Sequence, residues 1–340
     1  MPPTSLSFGQ KFHCAPYRIG ATVLVALAVT ACNADTSNSA AASAAAAASA
    51  PVSKLQALLD KTRKNLRFVE GGTFQMGDFG PLHSPEKLYY SSNPDNKPLH
   101  KVTLDSFSMS AFKTTYADHD VYSEVTGTAK VGTDQITLEH RFPDAASGLS
   151  WQQAREYCQW LGRQLKLPMD LPTEAQWEYT ARNRGQFFLF ATDNGVVDSG
   201  RNVWKFAQRE NYIDAHNLGV YNPSLPLGQF PPTPLGLYDM MTDGYEWVLD
   251  WYDEQYYSHS LERNPAGPSS GREKVLRSSP SRDGAGLAYG DGMSIARRHR
   301  QPDRPKLNFA TVKPDPTSNM NSDTTARCVV NSPSPVEAAR

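Results

Sequence analysis

Few side chains in this chain could hold a redox metal or act as a nucleophile, and their spacing limits what they could do. Of 340 residues, four are Cys (Cys14, Cys32, Cys158 and Cys328) and eight are His. No Cys falls between Cys158 and Cys328, so that long interval offers no thiolate for nucleophilic attack or for a soft metal. Beyond residue 31 the histidines are His83, His100, His119, His140, His216, His259 and His299. They are scattered, and no pair has the spacing of a ligand set on one helix face. His299 sits in Arg297-Arg298-His299-Arg300, with Arg304 close behind. Such a cluster can meet an anionic partner, but a short charge run reads first as a solvated loop.

What the cysteines can do depends on where the chain goes. Lys11 and Arg18 precede an uncharged apolar run, Ile19 to Val29, too short to span a bilayer. It ends in Val29-Thr30-Ala31-Cys32, which resembles a bacterial lipobox: aliphatic, small, small, Cys. The resemblance implies that 1–31 is a lipoprotein signal peptide and that Cys32 becomes the lipidated N-terminus. Asn33, rather than Asp, follows the cut, which points to the outer membrane, facing the periplasm. Cys14 leaves with the signal. Cys158 and Cys328 remain in an oxidising compartment, where two thiols most simply pair; two buried free thiols are the alternative. There is no second long apolar run, so membrane contact is expected through the lipid anchor.

Charge removes another class of function. Lys plus Arg total 34 and Asp plus Glu 35, a net −1. Lys11 and Arg18 are the only charges in the first 31 residues, so the remainder carries 32 bases against 35 acids. That is not the basic footprint of a general nucleic-acid binder, and no nucleic-acid partner is expected. Aromatic residues are 10 %, which argues against disorder, while 25 Pro and 39 % hydrophobic residues point to a loop-rich globular domain.

The elements that would position any site follow from patterning. Residues 32–53 are nearly all small and polar or Ala, with no apolar face to pack, and read as a tether. Over 54–67, Leu55, Leu58, Leu59 and Leu66 among bases predict a short amphipathic helix. Phe68 to Gly77 reads as strand, Gly71-Gly72 turn and second strand. His100 to Met109 alternates like one half-buried strand. Tyr116, His119, Tyr122 and Val125 have helical spacing. Ser150 caps a helix over Trp151 to Leu161 whose Ala154, Tyr157, Cys158 and Leu161 share a face. Thr173 with Gln176 forms a capping-box pattern opening a helix that runs to Arg182. Long loops such as Ser260 to Gly271 and Gln301 to Thr325 fill the rest.

Eight segments then occur in one order: Phe68 to Gly77, Leu149 to Trp151, Ala154 to Gly162 (AREYCQWLG), Leu171 to Tyr179 (LPTEAQWEY), Pro231-Pro232, Gly236 to Met240 (GLYDM), Glu246-Trp247 and Asp250 to Tyr252. Together they resemble the formylglycine-generating enzyme family, the sulfatase-modifying factors, from about Phe68 to Val330. The resemblance implies an α+β domain over 68–330, a C-type lectin-like variant with little regular secondary structure, and a flexible tail over 331–340. It also implies a disulfide. In the family the Cys of a Tyr-Cys-x-Trp helix bonds the Cys of a C-terminal Arg-Cys strand, matched here by Tyr157-Cys158-Gln159-Trp160 and Arg327-Cys328.

The resemblance makes the missing thiols informative. Family members that make formylglycine oxidise a sulfatase cysteine with O2, using two cysteines that bind copper as thiolates after an Arg-Gly-Gly-Ser strand. The matching strand here is Val275 to Pro280 (VLRSSP), and the matching end is Ser294 to Arg297. Between them, Asp283 and Ala288 or Tyr289 stand at the cysteine positions, so neither copper nor this oxidase chemistry is expected. Iron-dependent relatives carry an added helical domain with a histidine triad, and there is no room for one before Phe68. The family's structural Ca2+ maps to two sets: Asp239, Thr242, Gly244 and Glu246, and Asn211, Tyr212 and Asp214. Carboxylates with backbone carbonyls suit a hard cation; the alternative is turn residues that cap their own backbone. Arg277, Trp247 and Trp251 could line a cleft but read first as core.

The expected function is therefore a non-catalytic lipoprotein of the bacterial envelope that binds another protein through long variable loops. By analogy with degenerate relatives it would regulate a secretion system or give immunity to an effector. The alternative is a metal-dependent oxidase of altered active site, with Asp283, Tyr289 or a histidine as ligand. A carbohydrate binder ranks third, since the Glu-Pro-Asn triplet of sugar-binding lectins is missing.

Overall fold

Leu55, Leu58 and Leu59 form an apolar stripe that needs a partner, and they have one. A helix, α1, runs over 52–65, with Leu58 and Leu59 buried and Leu55 half-buried against a cluster containing Tyr157, Cys158 and Leu161. This computed structural model describes residues 52–337 apart from 134–137, 139–140, 220–222, 288–291, 303–306, 309–312 and 315–321. The signal, Cys32 and the tether, with His140, Ala288, Tyr289 and Arg304, lie outside the described residues. No described helix is long and apolar enough to cross a membrane.

The helix stops two residues earlier than its leucine pattern suggests, because Leu66 and Arg67 enter a sheet. Strand β1 (Leu66–Val69) pairs antiparallel with β4 (Phe107–Ser110). β2 (Gly72–Met76) pairs instead with β3 (His100–Leu104), Gly72 opposite Leu104 and Met76 opposite His100. Gly71-Gly72 is thus not a hairpin turn but a step between two sheets. A Cβ on Gly71 would press on the Leu104 carbonyl and sit 2.7 Å from the Ser106 nitrogen, while one on Gly72 would sit 2.7 Å from the Tyr179 hydroxyl. Close backbone approach, not turn geometry, requires Gly71, while Gly72 makes room for the tip of the Tyr179 side chain. The alternating run His100 to Met109 likewise splits into β3 and β4, with a bend at Asp105-Ser106.

The first sheet has the order β1-β4-β12-β5, where β5 is Met169–Asp170 and β12 is Val329–Val330. The second has the order β11-β6-β7-β8: Thr324–Thr325, Gly244–Trp251, Lys274–Ser279 and Arg298–Arg300. A small pair joins β9 (Leu307–Asn308) to β10 (Lys313–Pro314). Helices α2 (Tyr116–Thr126), α3 (Trp151–Leu165) and α4 (Glu174–Ala181) each start with a complete capping box, at Thr115/Asp118, Ser150/Gln153 and Thr173/Gln176. Each box satisfies two otherwise orphaned backbone N–H groups. Helix α5 (Phe206–Ala215) lacks a side-chain cap.

Trp247 is fully buried and donates its indole N–H to the Leu149 carbonyl at 2.8 Å, and Trp151 donates to Val248 at 2.9 Å. Trp251 stacks on Trp151 beneath the Lys274 ammonium, 3.7 Å from its ring. Trp247 and Trp151 are core, and Trp251 is half-buried beside them. At the C-terminal end, Asn331 accepts from the Gln176 amide at 2.8 Å and Val336 packs on the α3 cluster, so the stretch expected as a flexible tail touches the domain at these two residues.

The structure joins Cys158 of α3 to Cys328, just before β12, with a Cα–Cα distance of 5.5 Å and a sequence separation of 170. Constraining so long a loop in the unfolded chain is worth about 5 kcal/mol in the chain-entropy picture. A Cys158→Ala/Cys328→Ala variant should lose about 2–5 kcal/mol in urea unfolding. A loss below about 0.5 kcal/mol would show that the link does not carry the fold.

Candidate functional site

In family members that make formylglycine, the copper-binding cysteines lie in the segment between β7 and β8. Here that segment is held at both ends by buried charge. Helix α4 presents Glu174 and Glu178, four residues apart and so on one face, both buried. Arg277 of β7 reaches Glu174 at 2.8 Å and Glu178 at 3.0 Å, and donates to the Ser294 carbonyl. Arg297 reaches Glu174 at 2.7 Å and Arg182 reaches Glu178 at 2.8 Å. At the near end, the Asp243 amide donates to the Ser281 carbonyl at 2.9 Å, and the Ser281 hydroxyl to the Asp283 carbonyl at 2.8 Å. At the far end, the Ser294 amide donates to Leu189 at 2.7 Å and its hydroxyl to Phe188 at 2.6 Å. Arg277 therefore faces the core. The basic cluster after it is also paired and forms β8 rather than a solvated loop: Arg297 points inward, His299 meets Glu273 at 2.7 Å, and Arg300 meets Asp323 at 2.7 Å.

The outer face of this segment borders a cleft of about 590 Å³. Leu189, Phe190, Leu287, Met293 and Ala296 supply apolar surface, and Tyr90, Ser91, Ser92, Asn93 and Arg298 supply polar groups. None of the described lining residues is a thiol, imidazole or carboxylate. The lining suits an extended peptide, apolar side chains against the floor and backbone against hydroxyls and amides. Its hydroxyls, on Tyr90, Ser91 and Ser92, have no imidazole or carboxylate beside them among the described lining residues to activate them. A second cleft, of about 740 Å³, is lined mainly by polar groups, among them Glu70, Asp105, Thr173, Gln176 and Asn264.

The first predicted calcium set is brought together, but around a side chain. Lys113, fully buried, donates to the Gly244 carbonyl at 2.8 Å and to the Thr242 carbonyl, and lies 3.7 Å from Glu246. Both Glu246 oxygens are engaged by Arg327, at 2.7 and 2.9 Å, and one also accepts from Trp177 at 3.0 Å. Burial would raise the Glu246 pKa, but the positive charges of Arg327 and Lys113 outweigh it and hold it low. Asp239 accepts from the Gly228 amide at 2.8 Å; burial and the Asp243 charge push it up to about 6. These groups do not fit Ca2+, since an ammonium fills the point where the carbonyls converge. The second set is not a turn at all. Asn211, Tyr212 and Asp214 lie on α5, where successive side chains diverge, and the Tyr212 carbonyl accepts from His216. Among the described residues no group of three or more His, Cys, Asp or Glu is arranged to hold a metal.

Sequence reading missed Lys113, Glu174 and Glu178. The available signal was a pair of Glu at helical spacing on a segment otherwise rich in Trp, Tyr and Ala. A further carboxylate, Asp250, accepts the Glu174 amide at 2.7 Å. Burial, with the Glu174 charge beside it, raises its pKa to about 7 from 3.8. The protonated form is thus favoured by folding: its contribution is complete below about pH 4 and is lost as pH rises through about 7. Asp250→Asn keeps an acceptor and stays neutral. Its stability advantage over the parent should grow from pH 4 to 7 and then level off, measured by urea unfolding across that range. A flat difference would refute the raised pKa.

The model of the sulfatase-modifying factor enzyme 1-like domain matches residues 54–316, so α1 lies within the matched region. Formylglycine-generating enzyme of Bos taurus is 33 % identical over 148 residues, covering 43 % of this chain and 37 % of that protein. The enzyme of Mus musculus is 28 % identical over 259 residues, covering 62 % and 64 %. The chain thus spans less than two-thirds of the length of these curated relatives. The structure of PvdO from Pseudomonas aeruginosa superposes with a TM-score of 0.56 at 21 % identity, over 78 % of this chain and 93 % of that one, which shows a shared fold. With its mixed sheets and capped helices in the formylglycine-generating enzyme fold, the chain belongs to the sulfatase-modifying factor family.

Proposed function

We propose that this protein is a non-catalytic member of its family, a lipid-anchored module of the bacterial envelope that binds another protein. The observation that carries this reading is the disulfide. It uses Cys158 and Cys328, the two cysteines among the described residues, and no Cys lies between them in sequence, so the thiolate pair that would hold Cu(I) has no source in that interval. The segment between β7 and β8 is pinned at both ends, and the cleft beside it offers an apolar floor with hydroxyls and amides for contact with another chain. The partner is an extended segment of an envelope or secreted protein, consistent with a role as secretion-system regulator or effector immunity protein. The lipobox-like Val29-Thr30-Ala31-Cys32 supports anchorage facing the periplasm, at the outer membrane.

Incubation with a sulfatase-motif peptide, Cu(I) and O2 should yield no aldehyde by mass spectrometry; stoichiometric aldehyde would favour the oxidase reading instead. A photo-crosslinking residue at Leu189, in the cleft, should capture one discrete protein in intact cells, and the same residue at exposed Glu156 on α3 should not. Equal capture at both positions would remove the cleft from the proposal.

The anchor has its own test. Mass spectrometry of the mature protein should find Cys32 acylated at the new N-terminus, with the mass lost in Cys32→Ala. Stable anchoring needs more than one acyl chain. An unmodified Cys32 in mature protein would make it a free periplasmic domain.

A further inference from the structure

The turn that leads into β6 is shaped to hold a cation. Asp239 and Asp243 have positive φ of 55° and 60°, and Gly244 has φ of 111°. This coiled backbone aims the Thr242 and Gly244 carbonyls at one point, with the carboxylates of Asp239, Asp243 and Glu246 as charged neighbours. Two convergent carbonyls among carboxylates are the ligand chemistry of a hard, oxygen-preferring cation. The point is filled by Lys113 Nζ, delivered from the segment after β4, with Ser278 Oγ at 3.5 Å as a further neighbour. The Gly244 oxygen accepts from the ammonium at 2.8 Å.

We propose that the Lys113 ammonium is a tethered replacement for a divalent cation in this turn, so that the native chain takes no Ca2+ there, and that shortening Lys113 uncovers a Ca2+ site. A free ion must be drawn from solution and leaves when it is scarce, whereas a tethered ammonium is present at full occupancy whatever the medium holds. Lys113 supplies the charge and donors that stop the two carbonyls from being buried without partners. Removing its side chain leaves those two carbonyls facing a space beside Glu246, with the Asp239 and Asp243 charges nearby to draw in a hard cation.

The experiment compares thermal unfolding of the parent, Lys113→Ala and Lys113→Met, each stripped with chelator and then given about 5 mM CaCl2, above the weak end of protein calcium affinities. The parent should not respond to chelator or to Ca2+. Lys113→Ala should melt about 10 °C lower without metal, as expected when one member of a buried charged cluster is lost. It should recover most of that loss with Ca2+ and retain one Ca2+ per chain after desalting. Lys113→Met fills the same space without charge and should be destabilised yet unresponsive to Ca2+. If Lys113→Ala refolds only in the presence of Ca2+, the proposal stands. A parent that binds Ca2+ stoichiometrically, a Lys113→Ala variant that neither binds nor responds, or a Lys113→Met variant that responds as strongly as Lys113→Ala would overturn it.

Discussion

Two carboxylates on one face of α4 govern how this loop-rich domain is assembled. Glu174 and Glu178 are buried, and a buried charge without a partner would cost several kcal/mol. Three guanidinium groups meet them: Arg182 at the end of the same helix and, from far along the chain, Arg277 of the second sheet and Arg297 just before β8. Replacing such a cluster with packed hydrocarbon can be neutral or stabilising. Its evident use here is positional. A guanidinium accepts only a few arrangements of carboxylate and carbonyl, so α4, β7 and Ser294 have little freedom relative to one another. The second cluster, Glu246 with Arg327 and Lys113, does the same for β6, the segment after β4 and the approach to β12.

Family scaffolding can therefore outlast family chemistry. The segment between β7 and β8 contains no thiol, yet its ends are held by hydrogen bonds at Arg277, Ser281 and Ser294. Those contacts belong to the architecture of the two sheets and would be kept whether or not the segment reacts. The cleft beside it then offers apolar and hydroxyl-bearing surface, which is suited to holding another chain in place.

Local signals were legible and distant ones were not. Thr115, Ser150 and Thr173 each announce a helix start, because a cap and its partner lie three residues apart. The leucines of α1 show its buried face for the same reason. Gly71-Gly72 misled because a tight turn and a close backbone approach both ask for glycine, and only the partner strands tell them apart. The pairing of His100 to Met109 with two different strands is decided by residues far away in the chain. Lys113 could not be read because nothing in Phe112-Lys113-Thr114 indicates that the side chain will meet carbonyls about 130 residues later. Asp239, Thr242, Gly244 and Glu246 were legible as a cation-shaped turn through the family resemblance, but not the identity of the cation.

The order β1-β4-β12-β5 has a consequence for the newly made chain. Its last strand lies inside the first sheet, with Val329 and Val330 facing β4 on one side and β5 on the other. Until those residues emerge, β4 and β5 have no shared neighbour, and each exposes a row of unpaired backbone groups to any passing strand. Synthesis runs from the N-terminus, so the sheet waits half-open from the emergence of β4 until Val329 and Val330 follow. The period of greatest vulnerability to wrong pairing ends when those two residues slot into the gap and Cys328 reaches Cys158.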